Sequence, residues 1–270
     1  TYRFNLLGVA GFALALVACS GDDGSQGPAG SNAVVGGTTV NVGTLTQDEL
    51  KNLAFSLADS KVTGVTIASA PVVRFTVKDS TGRGVVGLEN FWSQSNPTAL
   101  KSYTNLAFAL AKLVPAPANS GAPSRWVSYI VTTAPNPPAS PAPTRPSTDN
   151  TGVLTGDGTG NYTYTFYRDI AQTATIVANS TDTSTNKKVD LGDTTYEPNL
   201  THRLTIQLGG NVRGTGSNTT NGVQVVPGVP MQHPINLFWD FIPATGQVVS
   251  SSDESRNIVD VSACFQCHGQ

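Results

Sequence analysis

Cys264-Phe265-Gln266-Cys267-His268 is the most chemically specific run in the sequence. Two thiols separated by two residues and followed by a histidine form the attachment signature of c-type haem. The spacing lets both sulfurs reach the two vinyl groups of one porphyrin and close thioether bonds. The adjacent histidine is then carried beneath the iron and ligates it through its imidazole. Two other chemistries use paired cysteines. A zinc site wants a second pair of ligands, and the sequence holds no second CxxC. A thioredoxin-like dithiol normally opens a helix in a βαβ setting, which a β-rich chain does not offer. Haem c is therefore the expected cofactor, with Cys264 and Cys267 as covalent attachment points and His268 as proximal iron ligand. His202 and His233 are the remaining histidines, and each reads as a structural or surface residue before it reads as a sixth ligand. That ligand is expected from a histidine further along than Gln270. Arg256 reads as a surface charge, with a haem propionate as its alternative partner.

The third cysteine has a different setting. Arg3 precedes an apolar run from Leu6 to Ala18, which fits a signal-peptide core and falls short of the ~20 residues of a membrane-spanning helix. The run ends Leu16-Val17-Ala18-Cys19, which resembles the lipobox of bacterial lipoproteins. That resemblance implies cleavage before Cys19 and acylation of its thiol and amino group; the alternative is an ordinary secretory signal. Three acyl chains at ~0.8 kcal/mol per buried methylene hold a protein on a bilayer, whereas one does not. An extracytoplasmic address also suits haem attachment. Gly21 to Gly30 then places glycine at every third position, too briefly for a triple helix, and reads as a flexible tether. The expected organisation is a signal peptide over 1–18, a tether over 19–31, a β-rich domain over 32–255 and the start of a haem domain over 256–270. Met231 is the only methionine, so the chain is read as a piece of a longer protein.

Between these ends lies the scaffold that must present them. Only 13% of the 270 residues are charged, with 16 Lys plus Arg against 18 Asp plus Glu. Such a balance offers no basic stripe for nucleic-acid phosphates. Ser and Thr number 56, beside 27 Gly and 17 Pro, a composition that favours short strands and turns over helices. Thr46 and Glu49 have capping-box spacing, so a short helix is expected near Gln47. Val62 to Ala68 and Pro71 to Asp79 read as strands, the second with Val73, Phe75 and Val77 alternating against Arg74, Thr76 and Lys78. Asp79 to Gly82 supplies a turn. Leu106, Phe108 and Leu110 alternate, but Leu106, Leu110 and Leu113 would also line one face of a helix. Further strands are expected over Trp126 to Thr133, around Tyr162, Tyr164 and Phe166, around Leu204, Ile206 and Leu208, and over Val223 to Val226 and Ile235 to Phe241. Nine of the prolines fall between Pro115 and Pro146, marking long loops about one strand. No nucleophile elbow, phosphate loop or histidine-rich cluster is present, so the middle reads as an all-β scaffold rather than an enzyme.

Taken in order, several strings resemble the outer-surface decahaem c-type cytochromes of the OmcA/MtrC type. They are Leu106 to Pro115, Ser124 to Ile130, Gly160 to Phe166, Thr201 to Leu204, and Trp239 to Pro243 followed by Arg256 to Asp260 running into Cys264. The resemblance implies a Greek-key, split-barrel or sandwich-like N-terminal domain followed by a multihaem domain. It implies electron transfer at the outer membrane surface, to extracellular metal oxides, flavins or other multihaem cytochromes, beside a porin–cytochrome complex and with no nucleic-acid partner. The chain departs from that pattern in showing one haem motif. A surface β-domain lipoprotein for binding or adhesion with a single haem is the alternative, and a small monohaem carrier or sensor is the third reading.

Overall fold

The computed structural model describes residues 37–68, 70–132, 143–185 and 187–249. Eleven strands and two short helices make up the regular structure of these residues, apart from three single turns of 3-10 helix. A four-stranded sheet contains β2 (Lys61–Thr66), β3 (Val72–Thr76), β7 (Val153–Gly156) and β8 (Asn161–Thr165), in the order β2-β3-β8-β7. A five-stranded sheet contains β5 (Leu106–Val114), β6 (Arg125–Ser128), β9 (His202–Leu208), β10 (Ile235–Ile242) and β11 (Gln247–Val248), in the order β11-β10-β9-β5-β6. Both are antiparallel. A parallel pair, β1 (Thr39–Asn41) with β4 (Gly84–Val86), stands beside them. Two long returns put β8 beside β3 and β9 beside β5, the crossing connectivity of a β-sandwich rather than an up-and-down meander. The expectation of an all-β, sandwich-like domain holds, and no closed barrel forms among the described residues.

Period-2 burial makes these strands what they are. On β5, Leu106, Phe108 and Leu110 face the core while Ala107, Ala109 and Ala111 face out, so the segment that also fitted a helix is a strand. On β8, Tyr162 and Tyr164 point inward from the opposite sheet. Phe108 stacks on Tyr164 with ring centroids 3.8 Å apart and planes 3° from parallel, and meets Phe75 of β3 edge-on at 5.7 Å. Leu204 and Ile206 of β9 complete the inner layer. Helix α1 (Gln47–Asn52) begins where its capping box places it: Thr46 Oγ1 accepts from the Glu49 N–H, and the Glu49 carboxylate accepts from the Thr46 N–H at 2.8 Å.

Strands β1, β4, β7 and β11 form where none was expected, and three further elements differ from the expectations. The strand expected over Trp126 to Thr133 ends at Ser128, whose hydroxyl bonds the backbone of Ile130 twice and draws the chain off the ladder. Val223 to Val226 is no strand: it makes one isolated bridge, Gly216 to Val225, and Val223 and Val226 are 61% and 79% exposed. A β-branched run needs a half-buried neighbour to become a strand, and this loop offers none. Helix α2 (Thr173–Asn179) had no sequence signal beyond a lone apolar pair, Ile176 and Val177.

Two polar groups anchor the interior. Asp149 is fully buried and accepts from the Tyr164 hydroxyl, the Arg168 N–H at 3.2 Å and the Arg168 guanidinium at 3.4 Å, while its backbone pairs with Phe108. Burial, and then the Asp149 charge, push the Tyr164 hydroxyl above its usual pKa. His202, also fully buried, sits in a relay. The Glu197 N–H donates to the Tyr129 oxygen at 3.4 Å; the neutral imidazole then accepts from the Tyr129 hydroxyl at Nε2 and donates from Nδ1 to the Leu200 carbonyl, at 3.0 and 2.8 Å. Lys112 is buried beside it, donating to the Thr195 carbonyl at 2.6 Å and to the Glu197 carboxylate. Burial, aided by the Lys112 charge, lowers the His202 pKa from 6.5 to about 4, against the Leu200 carbonyl and the Glu197 charge, which raise it.

Replacing Asp149 with alanine strands the Arg168 cation and the Tyr164 hydroxyl, and should cost roughly 3–5 kcal/mol in urea unfolding. Because the folded-state pKa of His202 lies below its unfolded value, its contribution is complete above pH 6.5 and is lost as pH falls toward about 4. Urea midpoints measured across that window should fall by up to about 3 kcal/mol of stability. In a His202→Gln variant that slope should be missing.

Candidate functional site

The residues expected to do chemistry stand at the ends of the sequence. Cys19, Cys264, Cys267, His268 and Arg256 lie outside the described residues, as do the expected signal peptide and tether. The described chain leaves the five-stranded sheet at Val249, whose N–H donates to the Asp240 carbonyl at 2.9 Å on β10. The donor set suits a c-type haem by its chemistry: two thiols at thioether spacing and an imidazole next to the second. Among the described residues no group of three or more His, Cys, Asp or Glu side chains could hold a metal ion.

The other side chains able to ligate iron have definite places. Both ring nitrogens of His202 are bonded inside the core, so it is a structural histidine. His233 is exposed in the bend before β10 and makes no side-chain hydrogen bond among the described residues. Met231 is 9% exposed, and its sulfur accepts from the Asn105 amide at 3.5 Å. The β domain thus keeps His202 and Met231 for its own interior and leaves His233 at the surface.

A cleft lies elsewhere, on the outer face of β9 and β10, with the start of β2 as its wall. Its volume is about 540 Å³. Register sets its floor: Gln207 lies opposite Asn236, Thr205 opposite Phe238 and Arg203 opposite Asp240. Arg203 and Asp240 form a two-pronged ion pair, Nε to Oδ1 at 2.7 Å and Nη2 to Oδ2 at 2.6 Å. The same guanidinium lies between two rings, 4.8 Å from Trp126 and 5.1 Å from Phe238. Phe238 remains 60% exposed, and Leu57 on the wall 54%. Lys61, Thr205, Gln207 and Asn236 make no side-chain hydrogen bond or ion pair among the described residues. Leu204, Ile206 and Leu208 on one strand face imply that Arg203, Thr205 and Gln207 share the other, whereas the run Ile235 to Phe241 carries no such sign for the apolar Phe238. Nothing in the sequence said that the two rows lie side by side, because that depends on cross-strand register. A second groove, about 300 Å³, lies on the outer face of the four-stranded sheet around Arg74, Thr155 and Thr163. At its rim the side chains of Asn161 and Thr159 hold the Asp157 carboxyl well below the usual carboxylate range.

No helix of the described residues is long and apolar enough to cross a membrane. No protein-family model matches the chain, and no curated protein does. Nine solved chains match it, and two of them are described. One is the outer membrane decahaem cytochrome OmcA, with 21% identity and a TM-score of 0.45 over 80% of this chain and 26% of that one. The other is MtrC from Shewanella baltica OS185, with 22% identity and a TM-score of 0.43 over 79% of this chain and 26% of that one. The chain thus spans about a quarter of each cytochrome's length.

Proposed function

We propose that this chain belongs to an electron-transfer protein of the bacterial cell surface, anchored through Cys19 and carrying haem c at Cys264 and Cys267. The single observation that carries the reading is the Cys264-Phe265-Gln266-Cys267-His268 run. When bound, haem supplies a one-electron iron couple, which no side chain of the β domain can provide. Cys264 and Cys267 would hold it covalently, and the His268 imidazole would ligate the iron and tune its electron density. A second histidine ligand would favour a lower potential than methionine would, and the burial of Met231 speaks against its sulfur in that role.

The resemblance to outer-surface decahaem cytochromes extends the reading to a multihaem protein that passes electrons to metal oxides, flavins or partner cytochromes. On this reading the protein is not an enzyme in the usual sense: its work is conduction, with metal reduction at the far end of a haem chain. Its partners would be other multihaem cytochromes and an outer-membrane porin complex. The lipobox-like Leu16-Val17-Ala18-Cys19 supports lipid anchoring at the outer membrane.

Expressed with a haem-attachment system, the chain should run as a haem-staining band on a denaturing gel, and Cys264→Ser/Cys267→Ser should remove the stain. His268→Ala should keep the thioethers but lose normal low-spin ligation, and an unchanged visible spectrum would sink the assignment. Cys19→Ser should move the protein from the membrane fraction to the soluble one.

A further inference from the structure

We propose that the groove on the outer face of β9 and β10 binds a short stretch of acidic polysaccharide, a site independent of the haem. Carbohydrates present two kinds of surface. The axial C–H faces of a pyranose are apolar and pack on an aromatic ring, while its hydroxyls need neutral donors and acceptors that are not already engaged. The groove supplies both. Phe238 offers an exposed ring, and Thr205, Gln207 and Asn236 offer a hydroxyl and two amides with no intramolecular partner among the described residues. A volume of about 540 Å³ lies within the roughly 300–1,000 Å³ range of ligand clefts.

Preorganisation separates this ring from a stray surface aromatic. One side of Phe238 is held by the Arg203 guanidinium, which is itself clamped by Asp240 and backed by Trp126. The ring is therefore fixed before a ligand arrives, and binding loses little side-chain entropy. Charge narrows the class. Asp240 neutralises Arg203, and among the described residues no acidic side chain lines the groove, so Lys61 on the wall is the uncompensated charge among them. A glycan carrying carboxylates, such as a uronate polymer, fits that balance better than a neutral one. An apolar peptide would leave Gln207, Asn236 and Thr205 buried without partners, a cost of about 1–3 kcal/mol for each group.

The test is calorimetric titration of the full chain with an alginate oligosaccharide and, separately, with a neutral dextran oligosaccharide. Binding of the uronate probe, stronger than that of dextran and weakened by salt, is the expected result. Phe238→Ala should weaken uronate binding by about tenfold or more. Lys61→Gln should remove the preference for uronate over dextran. Should Phe238→Ala fail to fold by circular dichroism, the exposed pair Gln207→Ala/Asn236→Ala decides, and should show a comparable loss. Failure of the folded protein to bind either sugar overturns the proposal, as does equal binding by the groove variants. Sedimentation of the sugar-free protein covers the other occupant: a dimer that dissociates on Phe238→Ala assigns the face to a second copy and also overturns it. Haem staining does not depend on any of these outcomes.

Discussion

The contact between Phe108 and Tyr164 joins the two sheets, and most of the structure is arranged around keeping it. At 3.8 Å between centroids the rings lie flat on each other, a geometry aromatic pairs adopt less readily than an offset or edge-on one. Asp149 holds it there: its backbone bonds the Phe108 backbone, while its carboxylate receives the Tyr164 hydroxyl. One buried acid therefore fixes both partners of the stack. Arg168 follows from that choice, because a carboxylate in this interior needs a cation, and Phe75, Tyr103 and Phe166 fill the remaining edges of the two rings.

The second buried centre works by a different rule. Asp149 is compensated directly, but His202 is kept neutral, and the cation and anion beside it, Lys112 and Glu197, are paired with each other. A neutral imidazole with one donor and one acceptor suits a site that offers one carbonyl and one hydroxyl, Leu200 and Tyr129. Protonation would turn its acceptor nitrogen toward the Tyr129 oxygen as a second donor and place a second cation near Lys112.

How much of this was legible follows from which interactions are local. The capping box at Thr46 and Glu49 is written within four residues, and the alternation on β3, β8 and β9 within seven or fewer, so each was readable. Leu106 to Leu113 was ambiguous because alanine fits the outer face of a strand and the flank of a helix equally; only pairing with β9 on one side and β6 on the other resolves it. Val223 to Val226 misled because β-branched residues announce a preference without supplying a partner. The CxxCH run and the lipobox-like Leu16-Val17-Ala18-Cys19 are local as well. The groove depends on Gln207 meeting Asn236 across a ladder, and residues about thirty positions apart do not announce their register.

The fold also constrains the proposed haem by what it withholds. Freeing His202 Nε2 for an iron would strand the Tyr129 hydroxyl in a dry interior, and freeing the Met231 sulfur would open the core around Asn105. His233 carries neither cost, since its ring makes no side-chain hydrogen bond among the described residues. It precedes β10, whereas the chain departs for Cys264 from beside Asp240 near the strand's other end. Seven positions along the chain separate the two, at most about 23 Å at ~3.3 Å per residue. The fifteen residues from Val249 to Cys264 can span at most ~50 Å, so reach does not forbid the pairing. Of His202, His233 and Met231, only His233 is placed where an iron could approach without dismantling the domain that carries it.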